Sequence, residues 1–176
     1  MKKLFNSIGI LLIGLMLMAG FSCNSAEVPP SGFKAYQNAE HGFRLYYPEH
    51  WQKGYVTGTV VYFTNPDIDE FEADIYVSIG SSGDTSLEEY IIASKNSVTY
   101  IFEDATLSNE RSVEVQGRTG HEWVLSWTLE GIQLKMRQVF FITNGKFYAL
   151  NCTATEYSYD DYVDTFDTII NSFKIE

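Results

Sequence analysis

Cysteine is the scarcest informative residue in this chain of 176 residues, which contains only Cys23 and Cys152. Cys23 lies at the end of an N-terminal leader, so a disulfide framework within the mature domain is excluded. Cys152 lies in an alternating apolar run, and we expect it to be a small buried hydrophobic side chain. The domain must therefore depend on a hydrophobic core, and a chain of this length can bury one.

Basic residues are also few. Lys and Arg number 12 against 23 Asp and Glu, which gives a net charge of -11. The charge becomes -13 when a leader containing Lys2 and Lys3 is removed. Such an acidic surface repels nucleic acid and anionic lipid headgroups. We therefore expect no nucleic-acid partner.

Motifs of catalysis are lacking as well. The sequence has no Gly-x-Ser-x-Gly elbow, no Cys-x-x-Cys, no His-Glu-x-x-His and no phosphate-binding loop. Carboxylates are plentiful, so a hydrolase whose groups assemble only in space is the alternative. We therefore favour a protein that is not an enzyme. We expect no cofactor, with calcium as the alternative.

No apolar run is long enough to span a bilayer comfortably. The leader run, Ile8–Met18, follows Lys2 and Lys3 and ends in small residues, which is typical of an export signal. Residues 19–23 resemble a bacterial lipobox, in which Cys23 would be lipidated and become the mature N-terminus. The alternative is an ordinary secretory signal cleaved nearby.

This leader predicts three parts of the chain. They are a lipoprotein signal peptide over residues 1–23, a polar flexible tether over residues 24–32, and one domain over residues 33–176. A lipid on Cys23 would hold the domain at the extracytoplasmic face of the cell membrane without crossing it.

The clearest pattern in the domain runs from Gly120 to Ala154 and predicts three antiparallel strands. Alternating apolar residues are separated by the turn pairs Glu130-Gly131 and Asn144-Gly145. Two-residue turns place Trp127 opposite Leu134, Leu125 opposite Met136, and Phe140 opposite both His121 and Ala149. The turns and the apolar pattern therefore agree on one register.

The remaining elements complete an α+β fold. A hairpin is indicated at His41-Gly42, and short strands are indicated near residues 43–47, 60–64, 73–79 and 111–115. Ser86 and Glu89 form a capping box for a first helix, and Ser158 is the expected N-cap of a closing helix. The prediction is an α/β/α sandwich with a central antiparallel sheet of about six strands and a helix on each face.

The closing helix has the longer apolar stripe, which runs from Tyr159 to Phe173. The sheet face that carries Trp123 and Trp127 needs an apolar cover. We therefore expect this stripe to lie on that face.

The densest group of carboxylates is an acidic cluster of Asp67, Asp69, Glu70, Glu72 and Asp74. An early strand start would put the last three on one side, about 6–7 Å apart, within reach of a hard cation. The spacing is not that of an EF-hand, because the sixth position is Glu72 and the twelfth is Ser78. A solvated acidic loop is favoured, and a weak calcium site is the alternative.

Four other residues, three histidines and one arginine, are candidates for ligand or partner contacts. His121 lies in phase with Trp123 and is interpreted as a rim or satisfied histidine rather than a ligand. His41 and His50 flank a strand as loop residues. Arg137 is expected between apolar residues, either exposed to solvent, which we favour, or anchoring an anion or a carboxylate.

Several local motifs, in this order, resemble one family. They are Gly42-Phe43, Tyr47-Pro48 and Trp51, then Ser86-Leu87-Glu88-Glu89, Val115-Gln116-Gly117, the strand over residues 145–150 and Ile169-Ile170-Asn171-Ser172-Phe173. The chain resembles the PsbP-like family over roughly residues 33–175. That family is named for the extrinsic PsbP protein of photosystem II and includes bacterial lipoproteins of unknown role.

The resemblance implies an α/β/α sandwich, a membrane-associated extracytoplasmic location and an accessory, non-enzymatic role. The leading hypothesis is a lipid-anchored binding protein that docks on a membrane complex or envelope partner. Its candidate contact residues lie near the signature loop: Arg44, His50 and Trp51, of which Trp51 is equally compatible with the core. An alternative is a calcium-binding extrinsic subunit of a photosystem II-like complex.

Overall fold

The computed structural model describes residues 28–66, 71 and 73–176. The expected signal peptide, Cys23 and the first part of the tether lie outside the described residues. The elements within them are β1 (Phe33–Asn38), β2 (Phe43–Pro48), β3 (Gln52–Gly54), β4 (Val61–Thr64), β5 (Ala73–Ser81), α1 (Leu87–Ile101), β6 (Thr106–Val115), β7 (Arg118–Leu129), β8 (Ile132–Thr143), β9 (Lys146–Thr155), α2 (Tyr159–Ser172) and β10 (Lys174–Ile175). None of the helices in this described part has the length and apolar character needed to cross a membrane.

The strands form two antiparallel sheets. The main sheet has the order β3-β4-β5-β9-β8-β7-β6, and the small sheet has the order β1-β2-β10. The predicted α+β sandwich is confirmed, with seven strands in the main sheet rather than about six. The hairpin predicted at His41-Gly42 joins β1 to β2, but it belongs to the small sheet.

The predicted register of the meander is confirmed at every pair. Trp127 lies opposite Leu134, and Phe140 lies opposite His121 on one side and Ala149 on the other. Both residues of the Asn144-Gly145 turn have positive φ, at 53° and 68°. This is the backbone that two-residue hairpins need, because it matches the twist of the strands.

The main sheet buries its two faces to different extents. We call the face under α2 the closed face. There the small sheet and α2 together cover the strands, and the fully buried core includes Phe43, Leu45, Ile75, Val139, Leu150, Cys152, Phe166, Ile169 and Phe173. Cys152 is 0% exposed, which confirms that it is a buried hydrophobic side chain.

The expectation that α2 covers Trp123 and Trp127 was wrong. α2 packs on the opposite face, against Val124 and Cys152, whereas Trp123 and Trp127 belong to the cluster that packs with α1. Both faces of the central strands are apolar, so an apolar stripe fits either one. The side on which α2 lies depends on the direction the chain takes after β9, and the periodicity of the stripe does not encode that direction.

α1 lies on the other face, which we call the open face. Its capping box is confirmed, because Ser86 Oγ accepts from Glu89 N and the Glu89 carboxylate accepts from Ser86 N. Ser158 is the N-cap residue of α2 as predicted, but its side chain makes no capping hydrogen bond. Instead, its hydroxyl lies 2.8 Å from Thr155 Oγ1.

Candidate functional site

α1 covers only part of the open face. Its inward side chains pack near the β6 side and the middle of the sheet, where Tyr90 stacks on Phe147 with ring centroids 4.8 Å apart and Ile91 is 5% exposed. The helix ends at Ile101, and the ring of the C-cap residue Phe102 lies 5.6 Å from that of Trp127. Beyond Trp127, towards β5 and β4, no described helix lies over the sheet.

This uncovered part of the open face contains a cleft with a volume of about 520 Å³. A cleft of this size falls in the range of small-ligand sites. Its lining comes from the β3–β4 loop, β4, β5, β9 and the β7–β8 hairpin: Val56, Thr57, Gly58, Thr59, Tyr62, Phe71, Asp74, Tyr76, Ser78, Trp127, Leu129, Glu130, Ile132, Leu134 and Thr153.

Asp74 is the buried charged residue of the cleft. Its side chain lies on β5 in register with Thr64 of β4 and Thr153 of β9, and the residue is 9% exposed. Burial raises the pKa of Asp74 to about 7, although hydrogen bonds with Thr153 and Tyr62 act in the other direction. One carboxylate oxygen, Oδ1, has no hydrogen-bond partner among the described residues.

A residue that lines the cleft carries a second buried polar atom without a partner among the described residues. The indole Nε1 of Trp127 donates to no described residue. By contrast, Trp123 Nε1 donates to Gln138 Oε1 at 2.6 Å, and Gln138 Nε2 donates to Asn151 Oδ1 at 2.6 Å. Beneath α1 the open face therefore pairs the side chains of Trp123, Gln138 and Asn151, whereas Asp74 Oδ1 and Trp127 Nε1 have no partner among the described residues.

The rim of the cleft exposes large apolar side chains. We define the rim by Val56, Leu129 and Ile132, which are 44%, 50% and 46% exposed. All three lie in the two segments that border the cleft, the β3–β4 loop and the β7–β8 hairpin. Clustered apolar exposure of this kind is typical of binding surfaces rather than of an ordinary solvent-facing surface.

A second cavity of about 460 Å³ lies between α1 and the sheet. It shares Tyr76 and Ser78 with the cleft and is lined on the helix side by Ser94 and Ser97. The space between α1 and the sheet therefore continues from the cleft to the middle of the helix.

The closed face holds a network of charged residues, which borders a cavity of about 470 Å³. The Glu122 carboxylate is 4% exposed and accepts from two arginines, Arg137 Nη2 at 2.8 Å and Arg111 Nη2 at 2.8 Å. Arg137 is 13% exposed and also reaches Asp167 of α2. The favoured expectation of a solvent-exposed Arg137 was therefore wrong. Its alternative, a carboxylate anchor, is what the fold provides.

A comparison with protein-family models matches residues 31–175 to the PsbP model. The chain belongs to the PsbP family. This confirms the resemblance seen in the sequence motifs. A comparison of this PsbP-family chain with curated protein sequences finds no match.

Solved structures share the fold of this PsbP-family chain at low sequence identity. Cyanobacterial PsbP (CyanoP) from Synechocystis has a TM-score of 0.65 and 17% identity, covering 88% of this chain and 98% of that one. LpqN, involved in cell envelope biogenesis of Mycobacterium tuberculosis, has a TM-score of 0.59 and 13% identity, with 81% and 90% covered. The Ran-binding protein Mog1p of Saccharomyces cerevisiae has a TM-score of 0.58 and 10% identity, with 81% and 95% covered.

The acidic cluster is described at only one of its positions in this PsbP-family chain. Asp67, Asp69, Glu70 and Glu72 lie outside the described residues, and Asp74 is buried in the cleft. Among the described residues no group of three His, Cys, Asp or Glu side chains is arranged to hold a metal ion. The weak calcium site stays a prediction.

The three candidate contact residues occupy different environments. Trp51 is 4% exposed and packs edge-on against Tyr162 of α2, so the core alternative is correct and Trp51 offers no surface for a partner. Arg44 is half-buried in β2, and His50 is exposed in the turn after β2. None of the three lines the cleft.

His121 is a partly exposed histidine at the border of the core, as expected. Its side chain is 20% exposed, and its Nε2 lies 3.0 Å from Glu110 Oε1 without hydrogen-bond geometry. Lys95 of α1 pairs with the same carboxylate, and both neighbours lower the pKa of Glu110. His121 therefore helps to join α1 to β6 and β7.

Sequence reasoning missed the cleft, although one signal for it is present. Asp74 follows Ala73 and precedes Ile75, so strand alternation places Asp74 on the same face as Tyr76. That face also carries Trp127 three strands away, through the order β5-β9-β8-β7. The pairing of β5 with β9, which brings Asp74 and Trp127 to one cleft, is a long-range contact that no local pattern encodes.

Proposed function

We propose that this PsbP-family chain is a lipid-anchored, non-enzymatic binding protein of the cell envelope, which docks on a membrane-protein partner through the cleft of its open face. The observation that carries this proposal is the cleft itself, a concave and largely apolar site whose rim exposes three large apolar side chains. The partner would lay an apolar segment across Val56, Leu129 and Ile132.

A location at the membrane is supported by the leader and the tether. Cys23 would carry the lipid, and the nine residues of the tether can extend at most about 30 Å, so the domain would remain close to the membrane surface. The fold neighbour LpqN is described as acting in cell envelope biogenesis, which is consistent with this location.

A protein is the occupant we favour over the lipid surface. The chain has a net charge of -11, and Glu130 lies in the cleft lining beside the rim. An acidic surface is repelled by anionic headgroups, so the rim would gain little by lying on the bilayer. The tether enters at β1 of the small sheet, which packs on the closed face, so the cleft opens on the side of the main sheet away from the tether.

A binding role is supported by the chemistry of the cleft. Among the described residues, the lining contains no histidine, cysteine or lysine, and its two charged residues are carboxylates. A nucleophile-and-base pair of the usual kind is not assembled there. The described part of the site is better suited to recognition than to covalent chemistry.

The test is crosslinking of intact membranes that contain the native protein, followed by affinity capture and mass spectrometry. We expect one stoichiometric membrane-protein partner. Leu129→Thr/Ile132→Thr should reduce its capture at least about tenfold, because each well-packed apolar anchor is worth more than about 1 kcal/mol. Cys23→Ala should reduce capture to a similar extent, because it removes the lipid that holds the domain at the membrane. Tyr157→Thr is the matched control, since Tyr157 is 98% exposed and lies outside the cleft.

Two outcomes would contradict the proposal. One is recovery of no protein above the background of the uncrosslinked sample. The other is a partner whose capture is equal for the native protein and for the Leu129→Thr/Ile132→Thr variant.

A further inference from the structure

We propose that the cleft binds an organic ammonium group, with the charged nitrogen against the Asp74 carboxylate and the apolar part of the ligand along the rim. The inference rests on the proposed function, because it names the ligand chemistry of the same cleft. The ammonium is carried either by a small amine or by a lysine side chain of the docking partner.

The charge of the cleft is of one sign. Asp74 and Glu130 are the charged residues of the described lining, and no cationic side chain accompanies them. The nearest lysine along β8, Lys135, lies on the closed face, with its Nζ 4.6 Å from the centre of the Tyr159 ring. The site therefore favours a cation and repels an anion.

Four aromatic side chains line the same cleft: Tyr62, Phe71, Tyr76 and Trp127. The faces of aromatic rings attract organic cations, and cages of aromatic residues beside a carboxylate are a recurrent way of binding ammonium groups. A bare divalent metal ion would need about six oxygen ligands. Among the described residues no group of three His, Cys, Asp or Glu side chains is arranged to hold a metal ion, and the lining includes four aromatic rings, so an organic cation fits better than a metal.

The two unpartnered atoms give the site its polarity. Asp74 Oδ1 is a buried acceptor and Trp127 Nε1 is a buried donor, and neither has a partner among the described residues. A buried polar group without a partner is costly, so each would be stabilised by a ligand that completes its hydrogen bonding. An ammonium N–H would donate to Asp74 Oδ1, and an oxygen on the ligand would accept from Trp127 Nε1.

Two other ligand classes fit less well. A wholly apolar ligand would cover the rim but leave both buried atoms unpaired. A carboxylate or phosphate ligand would satisfy Trp127 Nε1 but would place its charge beside Asp74 and Glu130. Among these classes, an ammonium compound is the one that fits the charge, the aromatic rings and the Asp74 acceptor together.

The experiment is calorimetric titration of the full chain, held in nanodiscs of a neutral glycolipid that contains no ammonium headgroup. Three probes share one body and differ in the head: 3-phenylpropylammonium, 3-phenylpropanol and 3-phenylpropionate, each titrated at pH 8 with empty nanodiscs as the blank. We expect the ammonium to bind at least about tenfold more tightly than the alcohol, and the carboxylate to bind most weakly.

Two variants, compared with one control variant, assign the preference for the ammonium to the cleft. Asp74→Asn keeps the size of the side chain and should abolish the preference for the ammonium over the alcohol, whereas Glu156→Gln, an exposed change outside the cleft, should keep it. Phe71→Leu keeps an apolar side chain and should weaken the ammonium about threefold or more, with little change for the alcohol. A thermal melt of each variant verifies that it is folded.

Equal binding of ammonium and alcohol, or an unchanged preference in a folded Asp74→Asn variant, would overturn the ammonium proposal. So would the absence of binding by every probe at millimolar concentration. A lysine peptide and free phenylpropylammonium, each added as a competitor before the membranes are crosslinked, distinguish the two sources of the ammonium. Reduced capture of the partner assigns the ammonium to a lysine of the partner, and unchanged capture assigns it to a small amine. Recovery of the membrane partner is measured separately, so the docking function can survive the failure of this inference.

Discussion

Among the described residues, each face of the main sheet buries one carboxylate, and the two carboxylates have different surroundings. On the closed face, Glu122 is 3% exposed and accepts from both Arg111 and Arg137. On the open face, Asp74 is 9% exposed, and its Oδ1 has no partner among the described residues. The pKa of Asp74 is raised to about 7, as expected for a carboxyl group whose charge is poorly compensated.

This difference separates a structural role from a binding role. Glu122 and Arg137 connect β7 and β8 to Asp167 of α2, so their charges are satisfied by the fold itself. Asp74 costs stability in the folded chain, because burial disfavours its charged form. A binding role would explain that cost, since a ligand can complete what the fold leaves unpaired.

The largest effect is expected on the closed face. Arg137→Met keeps apolar bulk but leaves the buried Glu122 charge with Arg111, which is itself 60% exposed. We expect the free energy of unfolding to fall by about 3 kcal/mol, measured by urea denaturation. The double variant Arg137→Met/Glu122→Leu should recover most of this loss. If Arg137→Met were as stable as the native chain, the network would have no structural role.

A smaller effect of opposite sign is expected on the open face. The pKa of Asp74 is higher in the folded chain, about 7, than its ordinary value of 3.8. The folded chain therefore binds this proton more tightly than the unfolded chain. The contribution of Asp74 to stability is highest below about pH 4, falls as the pH rises to about 7 and is constant above it.

Asp74→Asn should therefore stabilise the chain at pH 8 by less than about 3 kcal/mol and leave it nearly unchanged at pH 3. Thermal denaturation across this range checks the prediction, with Glu156→Gln as the control at an exposed carboxylate. A variant less stable than the native chain at pH 8 would mean that the Asp74 carboxylate is compensated after all.

The smallest effect on stability is expected at the rim of the cleft. Leu129 and Ile132 are about half exposed, so Leu129→Thr/Ile132→Thr should change the free energy of unfolding by less than about 1 kcal/mol. The same kind of change on the closed face, Val139→Thr, introduces a hydroxyl at a residue that is 0% exposed and should cost about 1–3 kcal/mol. Equal losses for both variants would mean that the rim belongs to the core.

Much of the meander was predictable because its information is local. The pairs Glu130-Gly131 and Asn144-Gly145 specify two-residue turns, and the turns set the register that places Arg137 between Val124 and Cys152. The environment of Arg137 was not predictable in the same way. Its partners Glu122 and Asp167 come from a neighbouring strand and from a distant helix, and only their packing decides whether the arginine is exposed.

The sequence by itself determined the register of the meander and the helix starts, because each depends on residues that are close along the chain. It also determined the acidic balance through its composition and the family resemblance through the order of its motifs. The tertiary structure decided which helix covers which face, and with it the position of the cleft. Both faces of the central strands are apolar, so periodicity alone could not tell them apart. The pairing of β5 with β9 brings Asp74 to the same face as Trp127. The cleft between them stays open because α1 ends just before Phe102, close to Trp127.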